Sequence, residues 1–345
     1  MSAALKVIQA GPSVLIEDMG RPGYLGEGLS QGGVTDRLAL FEGAALLGQD
    51  PELAALELGG FGGVFEATAP LRIALTGAPM TASIDGQRVI WNVSYGLQAG
   101  QRLTIGAARK GVYGYLHLGG GLDTPEVLNS RSAHLGAAIG KAIVAGDTLP
   151  VGPDPRSVQT GYVLDVSDRF SGGTIRMVES AQTRQFASAE LQRFQMIAFK
   201  RDPRGNRQGV RLAAETAPFA VEAGLKILSE VIVPGDIQIT GDGAPYVLLS
   251  ECQTTGGYPR IGTVIPEDLP CVAQAAPGTG MRFELIGLEA ALEIHKAART
   301  EIAGLGRRLR PLIRDPHDIA DLLSYQLISG VTAGQDAPQQ DEETS

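Results

Sequence analysis

The chain is short of the residues that most often declare a chemistry. It has two cysteines, Cys252 and Cys271, in 345 residues. Two thiols give no disulfide framework and no zinc spacing, and they fit a reducing, cytoplasmic compartment. Its four histidines, His117, His134, His295 and His317, stand far apart with no metal-ligand spacing, so no metal site is expected. There is no run of about 18 apolar residues to cross a bilayer, and MSAALKVIQAG is too short and polar for a signal peptide. No G-x-x-x-x-G-K-[ST] loop occurs, and no glycine cluster has the strand–helix context of a dinucleotide fingerprint. No histidine is obviously paired in the sequence with Ser130 or Ser250, which weakens a serine-nucleophile reading of either. Positive charge is in deficit: the net charge of −9 argues against nucleic acid and anionic membranes as partners.

What is present points to a β-rich globular protein. Hydrophobic residues make up 43% and charged residues 19%, enough apolar content to form cores. The 46 glycines and 20 prolines are scattered, as expected for many short strands joined by turns. Lys6–Glu17 reads as a hairpin about Gly11-Pro12, and Gly20–Gly33 as a glycine-rich loop with Asp18 and Arg21 at its mouth. Thr35 or Asp36 can cap a following helix that stops at Gly48. From Ala55 to Val151 short apolar runs alternate with turn residues, Asp85-Gly86 being a two-residue hairpin turn. Such spacing predicts an antiparallel barrel or sandwich.

Hydrophobicity falls near Asp154–Thr160, and strands resume after Gly161. Gly100–Gly106 can be laid over Gly235–Gly241, 135 positions further on, and the same offset lays Gly111–Leu118 over Tyr246–Gln253. This implies two related β-domains, residues 1–158 and 159–286, with few short helices. A helical segment follows at 287–330. Leu288, Ala291, Leu292, His295, Ala298 and Ile302 trace one helix stripe, and Asp315-Pro316 opens a second helix. Residues 331–345 read as a disordered acidic tail.

The candidate chemistry lies in loops. SECQTTGGYPRIGTVI, Ser250–Ile265, sets two hydroxyls, an amide and paired glycines between two strands. Such a loop can present backbone N–H groups and small side chains, or it can simply be a wide turn. Asn129-Ser130-Arg131-Ser132, with His134 beside it, is a polar cluster in apolar surroundings. Arg201–Leu212 carries four arginines in twelve positions and reads equally as a solvated hairpin. Arg131 with Ser130, Arg207 with Asn206, and Gln253–Gly257 together offer fork-shaped and backbone donors for a carboxylate, ureido or amide group. Glu251 beside Cys252 would raise its pKa and favour an inert thiol over a nucleophile.

Four stretches carry a specific resemblance: EDMGRPGY (Glu17–Tyr24), GGGLDTPEVLNSRS (Gly119–Ser132), NRQGVRL (Asn206–Leu212) and QTTGGYPRIG (Gln253–Gly262). Their order resembles the KipA family, also called the allophanate hydrolase subunit 2 or biotin-dependent carboxyltransferase family, from about Val7 to Phe283. The resemblance implies two tandem cyclophilin-like antiparallel β-barrel domains. It also implies one of three roles. The first is the C component of an ATP-dependent 5-oxoprolinase, opening 5-oxo-L-proline to L-glutamate with A-like and B-like (KipI-like) partner proteins. The second is the carboxyltransferase part of a biotin-dependent, urea-type carboxylase. The third is a non-enzymatic regulator of a KipI-like partner.

The family's L-G-S-R-S-T is here Leu128-Asn129-Ser130-Arg131-Ser132-Ala133, its Q-D-x-G is Glu17-Asp18-Met19-Gly20, and its S-G-A-M-D gives way to Gln31-Gly32-Gly33-Val34-Thr35-Asp36. Asp18, Arg21, Asp36, Ser130 and Arg131 are retained. None of the six lysines is flanked by methionine as at a biotin attachment site, which turns the expectation toward the oxoprolinase setting. On this reading Arg131, Thr255 and Gln253 are the catalytic candidates. Thr254, Gly256, Gly257, Tyr258, Ser130, Asn206, Arg207, Asp18 and Arg21 are the substrate-binding candidates. The two loops would be equivalent rims of related barrels facing one cleft.

Overall fold

A computed structural model describes residues 3–220 and 227–313. The fold is mainly β with few helices, as the sequence implied. The N-terminal half is two facing sheets. One has six strands in the spatial order Thr148–Pro150, Ala4–Ala10, Phe61–Ala67, Arg102–Ala108, Met80–Ile84 and Gln87–Arg88. The other has five: Val14–Glu17, Ala55–Gly59, Tyr113–Leu118, Leu71–Gly77 and Ser94–Leu97. Alternation along the strands turns Leu5, Leu56, Phe65, Ile73, Leu103 and Leu116 into one shared core.

The C-terminal half is a closed barrel of Gly173–Val178, Arg260–Val264, Asp236–Ile239, Pro245–Leu248, Gly209–Ala213, Phe199–Asn206 and Gly280–Leu285. All its pairs are antiparallel except the one that closes it, Gly173–Val178 against Gly280–Leu285. Phe194, Phe199, Phe219 and Phe283 fill it, with ring centroids 4.9–6.1 Å apart. Each such ring contributes about 1.5–3 kcal/mol by burial.

Two local expectations hold closely. Helix α1 (Arg37–Leu47) is capped by Asp36, whose carboxylate accepts from the Ala39 N–H at 3.3 Å, and Gly48 ends it at φ 60°. Asp85 and Gly86, at φ 47° and 82°, join Met80–Ile84 to Gln87–Arg88 as a two-residue turn. Helices α2 (Ser188–Met196), α3 (Leu269–Gln274) and α4 (Leu288–Gly304) follow, α3 being unforeseen.

Other expectations are corrected. Ala4–Ala10 and Val14–Glu17 do not form a hairpin: they belong to different sheets, and the chain crosses between them at Gly11. Alternation shows that a strand has two faces but does not name its partner. The aligned repeat also fails at the level of pairing. Asp236–Ile239 and Pro245–Leu248 are hydrogen-bonded neighbours, whereas Arg102–Ala108 and Tyr113–Leu118 lie in different sheets. The apolar stripe foreseen on α4 buries only Ala291, leaving Leu288 and Leu292 exposed. The second helix and the acidic tail lie outside the described residues.

The halves are joined by two buried polar networks. In one, Arg169 gives Nε to Asp36 at 2.6 Å and a fork to both Glu42 oxygens at 2.8 Å. Gln274 completes it, donating to Asp36 and to the Tyr113 carbonyl at 2.8 Å while accepting from the Tyr113 N–H at 2.9 Å. The other network, around Arg207, adjoins the candidate site.

Candidate functional site

The named residues fall in three places. The first is a seam between the halves, formed by the loop from Asp18 to Asp36, the segment Val127–His134, and Arg207 with Ser250-Glu251. Asp18 is its hub on the N-terminal side. Its carboxylate accepts from Ser130 Oγ, Ser132 Oγ and the Arg131 N–H at 2.6 Å each, and from the Gly20 N–H at 2.8 Å. Ser130 and Asp18 therefore fix the loops to each other. Gly20 and Gly33 are needed there, since a Cβ on Gly20 would stand 2.6 Å from the Gln31 carbonyl and one on Gly33 would stand 2.7 Å from Gly20 N. The turn Leu128-Asn129 has φ 55° and 60°, strained for leucine. It closes the Val127–Ser130 bridge.

Arg207 sits on the same seam, buried rather than solvated. Its guanidinium meets Glu251 at 2.6 Å, Glu17 at 3.1 Å and Glu57, and donates to the Gly33 carbonyl at 2.6 Å and Thr35 Oγ1 at 3.0 Å. Glu57 also accepts from Tyr115 Oη at 2.7 Å and the Thr35 N–H at 2.8 Å. Three carboxylates on one cation leave an excess of negative charge. Burial pushes the Glu17 carboxyl well above its ordinary range, and Glu57 and Glu251 add to that push against the opposing Arg207. Asn206 beside it is exposed and caps its own turn, accepting from the Gln208 N–H at 2.8 Å.

Ser30 and His134, buried in this seam, share a 2.8 Å bond between Oγ and Nε2. His134 Nδ1 accepts from the Ala137 N–H at 3.3 Å, so the proton is on Nε2 and is donated to Ser30. In that tautomer the ring does not activate Ser30 as a nucleophile. Burial holds the His134 pKa below its ordinary value, which keeps the ring neutral.

The second place is a cavity of about 360 Å³ lined by Gln49, Asp50, Arg72, Gly120, Asp123, Arg131, Asp154 and Arg156, among others. Arg131 reaches it half-exposed, pairing with Asp123 at 3.0 Å and with Glu126. Arg72 is fully engaged by a fork to Asp154 at 2.6–2.7 Å and by two backbone carbonyls.

The third place is the Thr-Thr-Gly-Gly loop. Thr255-Gly256 forms a short ladder with Glu230-Val231, and the Thr254 carbonyl accepts from the Ile232 N–H at 3.0 Å. Arg260 anchors the loop's far end through Glu230 at 2.6 Å, Asp236 at 3.2 Å and the Val231 carbonyl at 2.8 Å. Gln253, Thr255 and Tyr258 are accessible, and Gly257 packs 3.2 Å from the Ile227 carbonyl, measured from an ideal Cβ. Cys252 is buried, and that burial, with Asp236, pushes its thiol up to about 12. Among the described residues no hydrogen bond or ion pair joins this loop to Ser130 or Arg131. Ser30, Glu17, Glu57 and Glu251 were not among the site candidates read from the sequence, although a glutamate in the apolar runs VLIE and ALELG was a visible signal of a buried partner.

The tandem β-units with a polar seam define a carboxyltransferase-type fold. Residues 27–285 match the family described as "Carboxyltransferase domain, subdomain A and B", and the chain belongs to that family. It is 32% identical to the C component of 5-oxoprolinase from Escherichia coli (strain K12), over 88% of this chain and 98% of that protein. It is 25% identical to the urea amidolyase of Saccharomyces cerevisiae (strain ATCC 204508 / S288c), over 90% of this chain but 18% of that protein. The crystal structure of the Kluyveromyces lactis urea carboxylase shares the fold, with a TM-score of 0.79 and 21% identity, covering 91% of this chain and 31% of that one.

Proposed function

We propose that this chain is one component of an ATP-dependent complex that opens 5-oxo-L-proline to L-glutamate, working with partners that resemble the A and B components of 5-oxoprolinase. The observation that supports it is the match along 98% of the Escherichia coli 5-oxoprolinase C component. A lactam is resonance-stabilised, so its carbonyl needs activation before water can attack. ATP is the co-substrate of the complex. This chain's part is to bind and orient the acid and to place donors where negative charge develops. The half-exposed Arg131 guanidinium and the N–H and hydroxyl groups of Thr254–Gly257 are donors of that kind.

A second reading, carboxyl transfer from carboxybiotin, is favoured by the coverage of 90% of the chain in the match to the yeast urea amidolyase. The two are separated by adding labelled bicarbonate and avidin to the reconstituted complex. The oxoprolinase reading predicts glutamate formation that is unaffected by avidin and incorporates no label. Label incorporation abolished by avidin would replace it with the carboxylase reading.

A further inference from the structure

The cavity of about 360 Å³ that Arg131 reaches is large enough for a small molecule, and its lining is unusually rich in charge. Three arginines, Arg72, Arg131 and Arg156, face three aspartates, Asp50, Asp123 and Asp154. One pair is structural: Arg72 forks to Asp154 at 2.6–2.7 Å and holds the Leu47 and Gln159 carbonyls at 2.9 Å. Arg131 is shared between Asp123 at 3.0 Å and Glu126. Two groups are left over. The Arg156 guanidinium makes no hydrogen bond or ion pair among the described residues, and the Asp50 carboxylate accepts only the Glu52 N–H at 2.9 Å.

Arg156 is nonetheless held in place. Its guanidinium lies against Gly48, where a Cβ would stand 2.5 Å from Nη1 and 3.3 Å from Cζ. Gly48 is the stop of helix α1, and the last carbonyls of a helix favour a cation beside them. The Arg156 backbone N–H is tied to Asp154 at 3.0 Å. The balance of charge then narrows the ligand. Three cations and three anions cancel, so the cavity does not favour a polyanion such as the phosphates of a nucleotide. Arg156 instead offers a fork to a single carboxylate, and the free oxygen of Asp50 can accept one N–H. Leu53, Leu122, Pro153 and Pro155 line the same space and suit a compact apolar body.

We infer that this cavity binds a small acid with one carboxylate and one N–H donor, Arg156 taking the carboxylate and Asp50 the N–H. A lactam acid and a cyclic amino acid share that chemistry. The class of ligand follows from the lining. Only the choice of 5-oxo-L-proline within it rests on the function proposed above. On that reading the bound acid shares the cavity with Arg131, a donor proposed for its carbonyl.

The test is calorimetric titration of the full chain with four five-membered rings. 5-Oxo-L-proline and L-proline carry both groups, 2-pyrrolidone lacks the carboxylate and cyclopentanecarboxylate lacks the N–H. 5-Oxo-L-proline is expected to bind, and each of the last two to bind about tenfold more weakly or worse, having lost one charge-assisted bond. Arg156→Gln and Asp50→Asn change exposed side chains, and asparagine can still cap the Glu52 N–H, so both variants should fold. Each should weaken acid binding by about fivefold or more. Unchanged affinity in either variant, equal binding of pyrrolidone or cyclopentanecarboxylate, tighter binding of inorganic triphosphate, or no binding of either acid would overturn the assignment. 5-Oxo-L-proline bound equally well by wild type and both variants would do so while leaving the oxoprolinase reading standing. Binding of L-proline but not of 5-oxo-L-proline, with the same variant losses, supports the cavity and counts against the oxoprolinase reading.

Discussion

Replacing Arg207 by methionine removes one cation from between three buried carboxylates. The side chain keeps similar bulk, so the loss is mainly electrostatic. Glu57 and Glu251 are then stranded in the seam, along with the Gly33 carbonyl that accepted at 2.6 Å. Breaking a single buried ion pair by removing one partner costs about 3–5 kcal/mol. Here more than one carboxylate is stranded, so the upper part of that range applies, against a total stability of about 5–15 kcal/mol. Urea unfolding followed by circular dichroism should therefore show a fall of about 4–5 kcal/mol, or an unfolded chain. Two companions separate charge from packing. Arg207→Met combined with Glu57→Gln and Glu251→Gln should recover more than half of the loss, and mild acid, which neutralises stranded carboxylates, should partly restore the single variant. A loss below about 1 kcal/mol for Arg207→Met, or no recovery in the triple variant, would refute the account of this seam.

Glu17→Gln tests the neighbouring carboxyl. Its pKa is raised on folding, so the folded state binds more protons than the unfolded one and stability falls as pH rises above the ordinary glutamate value. The variant should be more stable than wild type at about pH 7–8 and should lose that decline; a lower Tm at about pH 8 would contradict the assignment. Burial pushes the Cys252 and Cys271 thiols up to about 12 and about 11, so neither should react with a thiol reagent at about pH 8 until the chain is unfolded. Gly43 on α1 lies against the buried His117 ring, which burial holds neutral with a pKa of about 3 and which is bonded to Thr76 at 2.7 Å. Gly43→Ala should therefore lower stability by about 1–3 kcal/mol, against the usual gain for alanine in a helix; a raised Tm would contradict this packing.

What could be read from the sequence was local. Asp36 and Gly48 bound α1 because cap and stop residues act within one turn of the helix they end. Asp85-Gly86 was legible for the same reason. The partners of Ala4–Ala10 and Val14–Glu17 were not, since alternation carries no address, and a periodic match at 135 positions did not survive comparison of strand pairing. Arg207 illustrates the larger limit. In sequence it belongs to a basic hairpin. Only the packing of the second unit on the loop Asp18–Asp36 buries it among Glu17, Glu57 and Glu251. Likewise, the polar cluster around Ser130 was visible in sequence. That Ser130 serves Asp18 depends on a contact between residues more than a hundred positions apart.

The central claim is tested most directly by reconstitution. The chain is mixed with the A and B components of a 5-oxoprolinase, and L-glutamate formed from 5-oxo-L-proline is measured against ATP consumed. The account predicts ATP-dependent glutamate formation that requires this chain. Glutamate formation at the same rate without it, or ATP-dependent binding of the three proteins with no glutamate formed, would contradict the claim.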